Sequence, residues 1–171
     1  MDFEKVLKER FSVRKFEENK EIEEEKIQKI LEAGRIAPTA KNLQPQKIYV
    51  IKSEEAKEKL DKVCPCRFKA PVTFLICSDK DIAWESPFEE YSSFEMDATI
   101  CATQMMLETT NLGLGSCFVR HFDSREVKKI FEIPNNITPI CLLPIGYIKE
   151  ECPINPLHYN RKNIEEIVKY L

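Results

Sequence analysis

The chain has 171 residues, of which 43% are hydrophobic and 32% charged, and its formal net charge is −3. This length and composition favour one globular domain, residues 1–171, with a core that needs no disulfide or structural metal. The near balance of charge excludes the basic footprint of a nucleic-acid-binding protein. No apolar run approaches the roughly 20 residues that span a membrane, and the first ten residues lack the apolar stretch of a secretory signal. We therefore expect a cytoplasmic protein with neither nucleic acid nor membrane as a partner.

Seven cysteines are many for this length. Without an export signal we expect reduced thiols. Four lie in apolar surroundings and are predicted to be small buried hydrophobes: Cys77, Cys101, Cys117 and Cys141. The Cys64-Pro65-Cys66 pair lacks the C-x-x-C spacing and has no second pair at metal-ligand distance along the chain. A redox or metal role for this pair, as in a metal- or ferredoxin-linked protein, stays an open alternative, although no residue is predicted as a metal ligand.

The first half of the chain predicts three helices and two strands. Apolar spacing indicates a helix over 3–10 and a strongly amphipathic one over Ile22–Ala37, which Pro38 ends. A polar turn, Thr39–Pro45, leads into the predicted strand Gln46–Ile51. Ser53 is the predicted N-cap of a helix that runs through Val63. Val72–Cys77 is a continuous apolar run typical of a strand buried on both faces.

The second half begins with an acidic, aromatic and irregular segment, 78–93. A largely uncharged helix follows at Met96–Leu112, with Gly113 as its C-cap. The remaining predicted elements are a short strand at Ser116–Val119, a helix capped by Ser124 and running to Phe131, a strand at Pro139–Tyr147 and a helix at Asn163–Tyr170.

This order of elements predicts an α+β domain with a mixed sheet of about four or five strands around a long central helix. Residues 149–171 form an arm with a helix too short to be stable by itself. We expect the arm to dock on a second subunit, which predicts an intertwined homodimer.

The segment R-F-S-V-R-K-F, residues 10–16, alternates polar and apolar side chains. In an extended strand Arg10, Ser12 and Arg14 would share one face. Two guanidinium groups and a hydroxyl suit a phosphate, because each guanidinium offers charge-assisted, forked donors. The alternative is a solvated basic edge.

Two further segments are polar or glycine-containing where a core pattern would be expected. Pro38–Gln46 carries Asn42 and Gln44, whose amides could match the edge of a pyrimidine-like ring, or it is a plain turn. Gly113–Phe122 permits close approach of the backbone to a planar ligand, or it is a helix cap followed by a buried strand.

No side-chain constellation for hydrolysis is present, since the chain has neither G-x-S-x-G nor H-E-x-x-H. We therefore predict no catalytic side chain. Catalysis through a bound cofactor fits this absence, because the cofactor then supplies the reactive atoms.

Four motifs together resemble the FMN-dependent nitroreductase family. They are R-F-S-V-R-K-F, A-P-T-A-K-N-L-Q-P-Q, the helix and turn D-A-T-I-C-A-T-Q-M-M-L-E-T-T-N-L-G-L-G-S-C, and the ending L-P-I-G-Y followed by R-K before the last helix. They occur in the family's order over nearly the whole chain. The resemblance implies a nitroreductase-like fold, mostly antiparallel, in a homodimer with two FMN sites at the subunit interface.

The resemblance also implies which residues bind FMN. Arg10, Ser12 and Arg14, with Phe11 between them, would hold the phosphate and ribityl chain, and Arg161 with Lys162 would reach the phosphate from the arm. Pro38, Thr39, Ala40 and Asn42 of the partner subunit would line the ring, and Gln44 would touch the ring or the chain. Backbone amides around Val119, Arg120 and His121 would approach flavin nitrogen 5.

The activity that the resemblance implies is an NAD(P)H oxidoreductase with NADH or NADPH as donor. A small organic acceptor, such as a nitroaromatic or a quinone, would be reduced by a ping-pong hydride mechanism. Arg120 and His121 occupy positions where this family often has small residues or glycine. Their bulky, potentially cationic side chains would narrow the pocket or favour an anionic substrate. The segment Trp84–Phe94 is the candidate lid, or it is an aromatic loop packed on the dimer. The alternatives are a non-catalytic flavin-binding redox sensor and a flavin reductase-family member with a non-nitro substrate.

Overall fold

The computed structural model describes residues 2–171, and in that range the chain forms six α-helices and four β-strands. The helices are α1 (Phe3–Glu9), α2 (Glu24–Arg35), α3 (Glu54–Asp61), α4 (Phe94–Asn111), α5 (Ser124–Ile130) and α6 (Ile164–Ile167). The strands are β1 (Gln46–Ile51), β2 (Val72–Asp79), β3 (Gly115–Ser116) and β4 (Ile137–Gly146). Among the described helices, none combines the length and apolar character needed to cross a bilayer.

The strands form one sheet in the order β1-β2-β4-β3, and neighbouring strands pair antiparallel. The central strand β2 is buried on both faces along nearly its whole length, which explains its continuous apolar sequence. A parallel bridge between Ser12 and Ser116 attaches the extended segment 11–16 at the β3 edge. These contacts confirm the predicted α+β class and the mostly antiparallel sheet.

The two faces of the sheet carry separate parts of the core. Helices α2 and α4 cover one face, and α3 and α5 pack on the other. Gly34 lets α2 and α4 approach closely, because a Cβ at this position would lie 2.8 Å from the Met105 sulfur. The uncharged central helix expected from the sequence is therefore α4, whose inner residues are buried between α2 and the sheet.

Several predicted boundaries differ from the observed ones. The strand predicted at Ser116–Val119 is only Gly115–Ser116, and Val119 forms an isolated bridge with Leu142. Helix α2 is shorter than Ile22–Ala37 at both ends. Helix α5 is capped by Asp123 rather than Ser124, because the Asp123 carboxylate accepts from the Arg125 N–H at 2.8 Å. The last helix ends at Ile167 rather than Tyr170, and Val168 is already extended. No residue from 149 to 171 is buried in this chain, so tertiary packing does not lengthen that helix.

Candidate active site

The segment 10–16 is extended and is fixed to the sheet edge by its backbone. The Val13 N–H donates to the Ser116 carbonyl at 2.9 Å, and the side chains of Val13 and Phe16 enter the core. Ser12 and Arg14 point to the other side, as the alternating sequence predicts. The backbone thus presents a row of polar side chains away from the core.

A cavity of about 260 Å³ lies between this segment and the C-terminal arm. The residues that line it come from both ends of the chain: Arg10, Phe11, Ser12, Arg14, Asn155, Leu157, His158 and Arg161. Three guanidinium groups therefore meet here, and none of the lining residues is an aspartate or glutamate. A cluster of cations without a carboxylate repels itself until an anion enters it.

Among the residues that the structure describes, the arginines of this cavity have no side-chain hydrogen-bond or ion-pair partner. Arg14 Nη1 donates to the Ser12 carbonyl at 3.4 Å, and Arg161 Nη1 donates to the carbonyls of Leu157 and Asn160 at 3.0 and 2.9 Å. Most of their N–H groups are free to face a ligand. Lys162, the other predicted arm residue, is exposed and does not line the cavity.

Two buried groups lie beside Ser12. The hydroxyl of Ser116, the bridge partner of Ser12, is buried and has no hydrogen-bond partner among residues 2–171. Burial raises the pKa of the Cys117 thiol, while Arg14, Arg10 and the Ser12 hydroxyl favour its thiolate. Cys117 therefore lies within electrostatic reach of the arginines at this cavity.

The loop 38–45 has a defined shape. Thr39 Oγ1 accepts from the Gln44 N–H at 3.0 Å, and the Ala40 N–H donates to the Asp97 carboxyl group at 2.9 Å. Three non-glycine residues are left-handed: Lys41 (φ 50°), Asn42 (φ 56°) and Gln44 (φ 53°). The side chains of Asn42 and Gln44 are exposed, and no residue of this loop lines the arginine cavity of its own chain.

The segment 119–121 lies along a second, wider cavity of about 590 Å³, which Arg120, His121 and Arg125 help to line. Val119 exchanges both backbone hydrogen bonds with Leu142, each at 2.9 Å, so its N–H is not available to a ligand. Within residues 2–171, the N–H groups of Arg120 and His121 make no such bond. Of the three backbone N–H groups predicted to approach a ligand, those of Arg120 and His121 are available to donate a hydrogen bond to it.

The four cysteines predicted to be small buried hydrophobes are buried in the structure. Cys77, Cys101, Cys117 and Cys141 are buried, and burial raises the pKa of the Cys77 and Cys101 thiols to about 12. Cys64 is buried as well, with its pKa raised by burial, and its sulfur lies 3.7 Å from the His121 carbonyl oxygen. In the described range no three His, Cys, Asp or Glu side chains are grouped as metal ligands.

Several residues of the site were missed by the sequence analysis. Asn155 and His158 line the arginine cavity, but the arm has no periodic pattern that could have assigned them a face. Asp97 fixes the loop 38–45, and here a signal existed: it is the single charged residue between positions 96 and 107. A lone carboxylate in an uncharged, central helix predicts a specific polar partner.

Comparisons with known proteins identify the family of this chain. The profile of the Nitroreductase family matches residues 7–70 and 65–147. A solved nitroreductase family protein from Clostridium difficile 630 is 36% identical, with a TM-score of 0.92 over 99% of this chain and 98% of that one.

Two relatives known from their sequences are also similar. One, from Methanothermobacter thermautotrophicus, carries the provisional name NADH dehydrogenase/NAD(P)H nitroreductase and is 30% identical over 88% of this chain and 79% of its own. An iodotyrosine deiodinase from Thermotoga neapolitana is 25% identical over 96% of this chain and 95% of its own. The fold, the cavity at the joined ends of the chain and these matches lead to one conclusion: the chain belongs to the nitroreductase family.

Proposed function

We propose that this protein is an FMN-dependent NAD(P)H oxidoreductase that reduces a small organic acceptor, such as a nitroaromatic or a quinone. The observation that carries the proposal is the cavity in which Arg10, Arg14 and Arg161 meet without a carboxylate. This donor set fits a phosphate monoester dianion, because guanidinium groups bind phosphate oxygens with paired, charge-assisted hydrogen bonds.

In this proposal Arg10, Ser12 and Arg14 hold the phosphate and the ribityl chain of FMN, and Arg161 reaches the phosphate from the arm. Asn155 and His158 add donors from the same arm. The N–H groups of Arg120 and His121 are the candidates that face the ring. Lys162 takes no part within one chain, since it lies outside the cavity.

The active protein is proposed to be a homodimer, in which the partner's loop 38–45 lines the flavin ring. Large apolar side chains are exposed on the arm, among them Ile164 (65%), Ile167 (69%) and Tyr170 (94%). Phe3 and Ile36 are exposed beside a mostly apolar cavity of about 540 Å³ that α1, α2 and α4 form. Apolar surface of this kind is typical of a face that a second subunit covers.

The chemistry that FMN supplies when bound is the transfer of a hydride equivalent from a nicotinamide to the acceptor. The protein's residues bind and orient: the arginines fix the phosphate, and loop 38–45 shapes the wall of the ring. No side chain needs to move a proton for hydride arrival, which agrees with the absence of a catalytic triad. Donor and acceptor would bind at the same site in turn, which predicts ping-pong kinetics.

The name iodotyrosine deiodinase of one relative illustrates that the fold alone does not fix the acceptor. A non-catalytic redox sensor based on Cys64 and Cys66 is disfavoured, because burial raises the pKa of the Cys64 thiol and so lowers its reactivity.

The proposal is tested by the absorbance spectrum of the purified protein after FMN addition and desalting, followed by anaerobic NADH or NADPH. We expect retained flavin bands that bleach with at least one nicotinamide and return when a quinone is added. Bands that are retained but never bleach would favour the sensor. A protein that retains no flavin would refute the assignment of the arginine cavity.

A further inference from the structure

A buried carboxyl group at the start of α4 joins two loops. Asp97 and Ser93 are each only 2% exposed. Both oxygens of the Asp97 carboxyl group accept a hydrogen bond: Oδ1 from the Ala40 N–H at 2.9 Å, and Oδ2 from the Ser93 hydroxyl at 2.7 Å. Buried polar groups are retained where such partners satisfy them. This one has a partner in each of two loops.

The second loop is the aromatic segment 84–93, and Ser93 closes it. The Trp84 N–H donates to Ser93 Oγ at 3.2 Å, and the Ser93 N–H donates to the Trp84 carbonyl at 2.8 Å. Glu85 and Ser92 pair through an antiparallel bridge just inside this closure. A continuous chain of hydrogen bonds therefore runs from Trp84 through Ser93 and Asp97 to Ala40.

The loop that Asp97 holds has an unfavourable backbone. Lys41, Asn42 and Gln44 are all left-handed, although none is a glycine. Such conformations persist where the surrounding structure fixes them, and they are concentrated at functional sites. The hydrogen bond from the Ala40 N–H to Asp97 fixes the start of this strained stretch. Its end is fixed by a second bond, in which the Asp79 N–H donates to the Pro45 carbonyl at 2.8 Å.

We propose that Asp97 is a positioning residue that keeps loop 38–45 in the shape required to line the flavin ring. Through Ser93 it also couples this loop to the aromatic segment 84–93. The inference rests on the proposed function, in which that loop contacts the flavin of the partner subunit. Asp97 has no contact with cofactor or substrate in this scheme, because its two oxygens are occupied by Ala40 and Ser93.

The test compares Asp97→Ala, Asp97→Asn and Ser93→Ala with the control Thr109→Val in the full-length protein. Thr109 is a matched control, because it is buried on the same helix and its hydroxyl donates only to the Met105 carbonyl, at 2.7 Å. Three quantities are measured: amide hydrogen exchange without flavin, the Kd of FMN by fluorescence quenching, and the Kd of inorganic phosphate by calorimetry.

For Asp97→Ala we expect faster exchange in both 39–44 and 84–93 and an FMN affinity about tenfold weaker, with phosphate affinity unchanged. Ser93→Ala should speed exchange in 84–93 while 39–44 stays protected, because the bond from Ala40 remains. Thr109→Val should leave loop exchange and both affinities at wild-type values. A phosphate affinity that falls together with that of FMN would overturn the proposal, since a general loss of structure would then explain both.

Asp97→Asn carries the test if the alanine variant does not fold. Its amide oxygen can still accept from Ala40, but its NH₂ group can only donate to Ser93 Oγ, so the charge-assisted bond from Ser93 is replaced by a weaker, reversed one. We expect faster exchange in 84–93 and a smaller loss of FMN affinity than for alanine. Wild-type exchange in both loops would overturn the inference. A wild-type protein that binds no FMN would instead refute the proposed function, and the exchange data would still decide whether Asp97 anchors the loops.

Discussion

At the scale of single residues, the proposed anion site depends on arginines that are far apart in sequence. Arg10 and Arg14 come from one extended segment, and Arg161 comes from the arm. Their side chains meet no carboxylate at the cavity, so their charge is available to a ligand rather than neutralised within the protein. Each should therefore contribute as a charged hydrogen-bond donor.

Replacing Arg10 by alanine should weaken FMN binding by about 1.5–3 kcal/mol, because a charge-assisted hydrogen bond is lost. Fluorescence quenching of FMN measures the change. Arg35→Ala is the matched control, since Arg35 is exposed and among the described residues pairs with Glu32 on its own helix. Equal affinities of the Arg10 and Arg35 variants would count against the phosphate assignment.

Arg120 should select for the charge of the acceptor. Its guanidinium lies 5.1 Å from the centre of the Phe122 ring and has no carboxylate partner among the described residues. In Arg120→Ala we expect kcat/KM for a carboxylated nitroaromatic to fall about two- to fivefold, as for an exposed ion pair, with little change for the uncharged parent compound. Equal decreases in kcat/KM for both acceptors would show that Arg120 does not discriminate acceptors by charge.

Some of these residues could be predicted from the sequence and others could not. Alternation over 10–16 was enough to place Ser12 and Arg14 on one face, since strand geometry is local. Asn155 and His158 could not be found, because their position depends on how an aperiodic arm folds back on the opposite end of the chain. Asp123 and Ser124 are adjacent and both good caps, so only the backbone geometry decides between them.

At the scale of elements, local signals and tertiary packing differ in what they predict. Strand β1 has its predicted bounds because turn residues delimit it on both sides. The last helix is shorter than its sequence suggests, because its apolar side chains are exposed and no other described residue packs over them. The parallel contact between Ser12 and Ser116 was not foreseen, since pairing between distant segments leaves no local pattern.

Helix α2 is tied to the end of β4 by a polar group of three side chains. The Tyr147 hydroxyl lies 2.8 Å from both oxygens of the Glu23 carboxylate and accepts from Lys26 Nζ at 2.7 Å. The backbone N–H of Glu23, the Tyr147 hydroxyl and Lys26 lower the pKa of Glu23 to about 2. Glu23 is the N-cap residue of α2, so its charge also meets the positive end of the helix dipole.

This lowered pKa predicts a pH dependence of stability. The contribution of Glu23 is fully present above the ordinary glutamate pKa and is lost as the pH falls towards about 2, because the folded state must then take up a proton. Glu23→Gln should therefore show a shallower fall of Tm between pH 5 and pH 2 than the wild type. Glu90→Gln, at an exposed glutamate, is the control. The same slope in wild type and Glu23→Gln would contradict this account.

At the scale of the whole molecule, the C-terminal arm, residues 149–171, is the part whose apolar side chains one chain leaves exposed. It supplies half of the arginine cavity, yet none of its residues is buried. The proposed second subunit would cover its apolar side chains, as it would cover the exposed Phe3 and Ile36.

Ile167→Asp should weaken the proposed dimer about tenfold or more, because a buried isoleucine contributes roughly 1.5–3 kcal/mol and a charge in its place is costly. Sedimentation velocity over a dilution series measures the monomer–dimer equilibrium. Glu165→Gln, on the same short helix, is the control. Identical dissociation constants for wild type and Ile167→Asp would show that the arm does not dock on a partner.

The shared lining of the arginine cavity has a thermodynamic consequence. In the proposed dimer the same arm lines the arginine cavity and docks on the partner subunit, so the affinity for a phosphate-bearing ligand and the tendency to associate are coupled. Dilution would release the ligand as it separates the subunits, and saturating ligand would hold the subunits together at concentrations where the bare protein dissociates. The concentration of the protein would then set how much cofactor each chain retains.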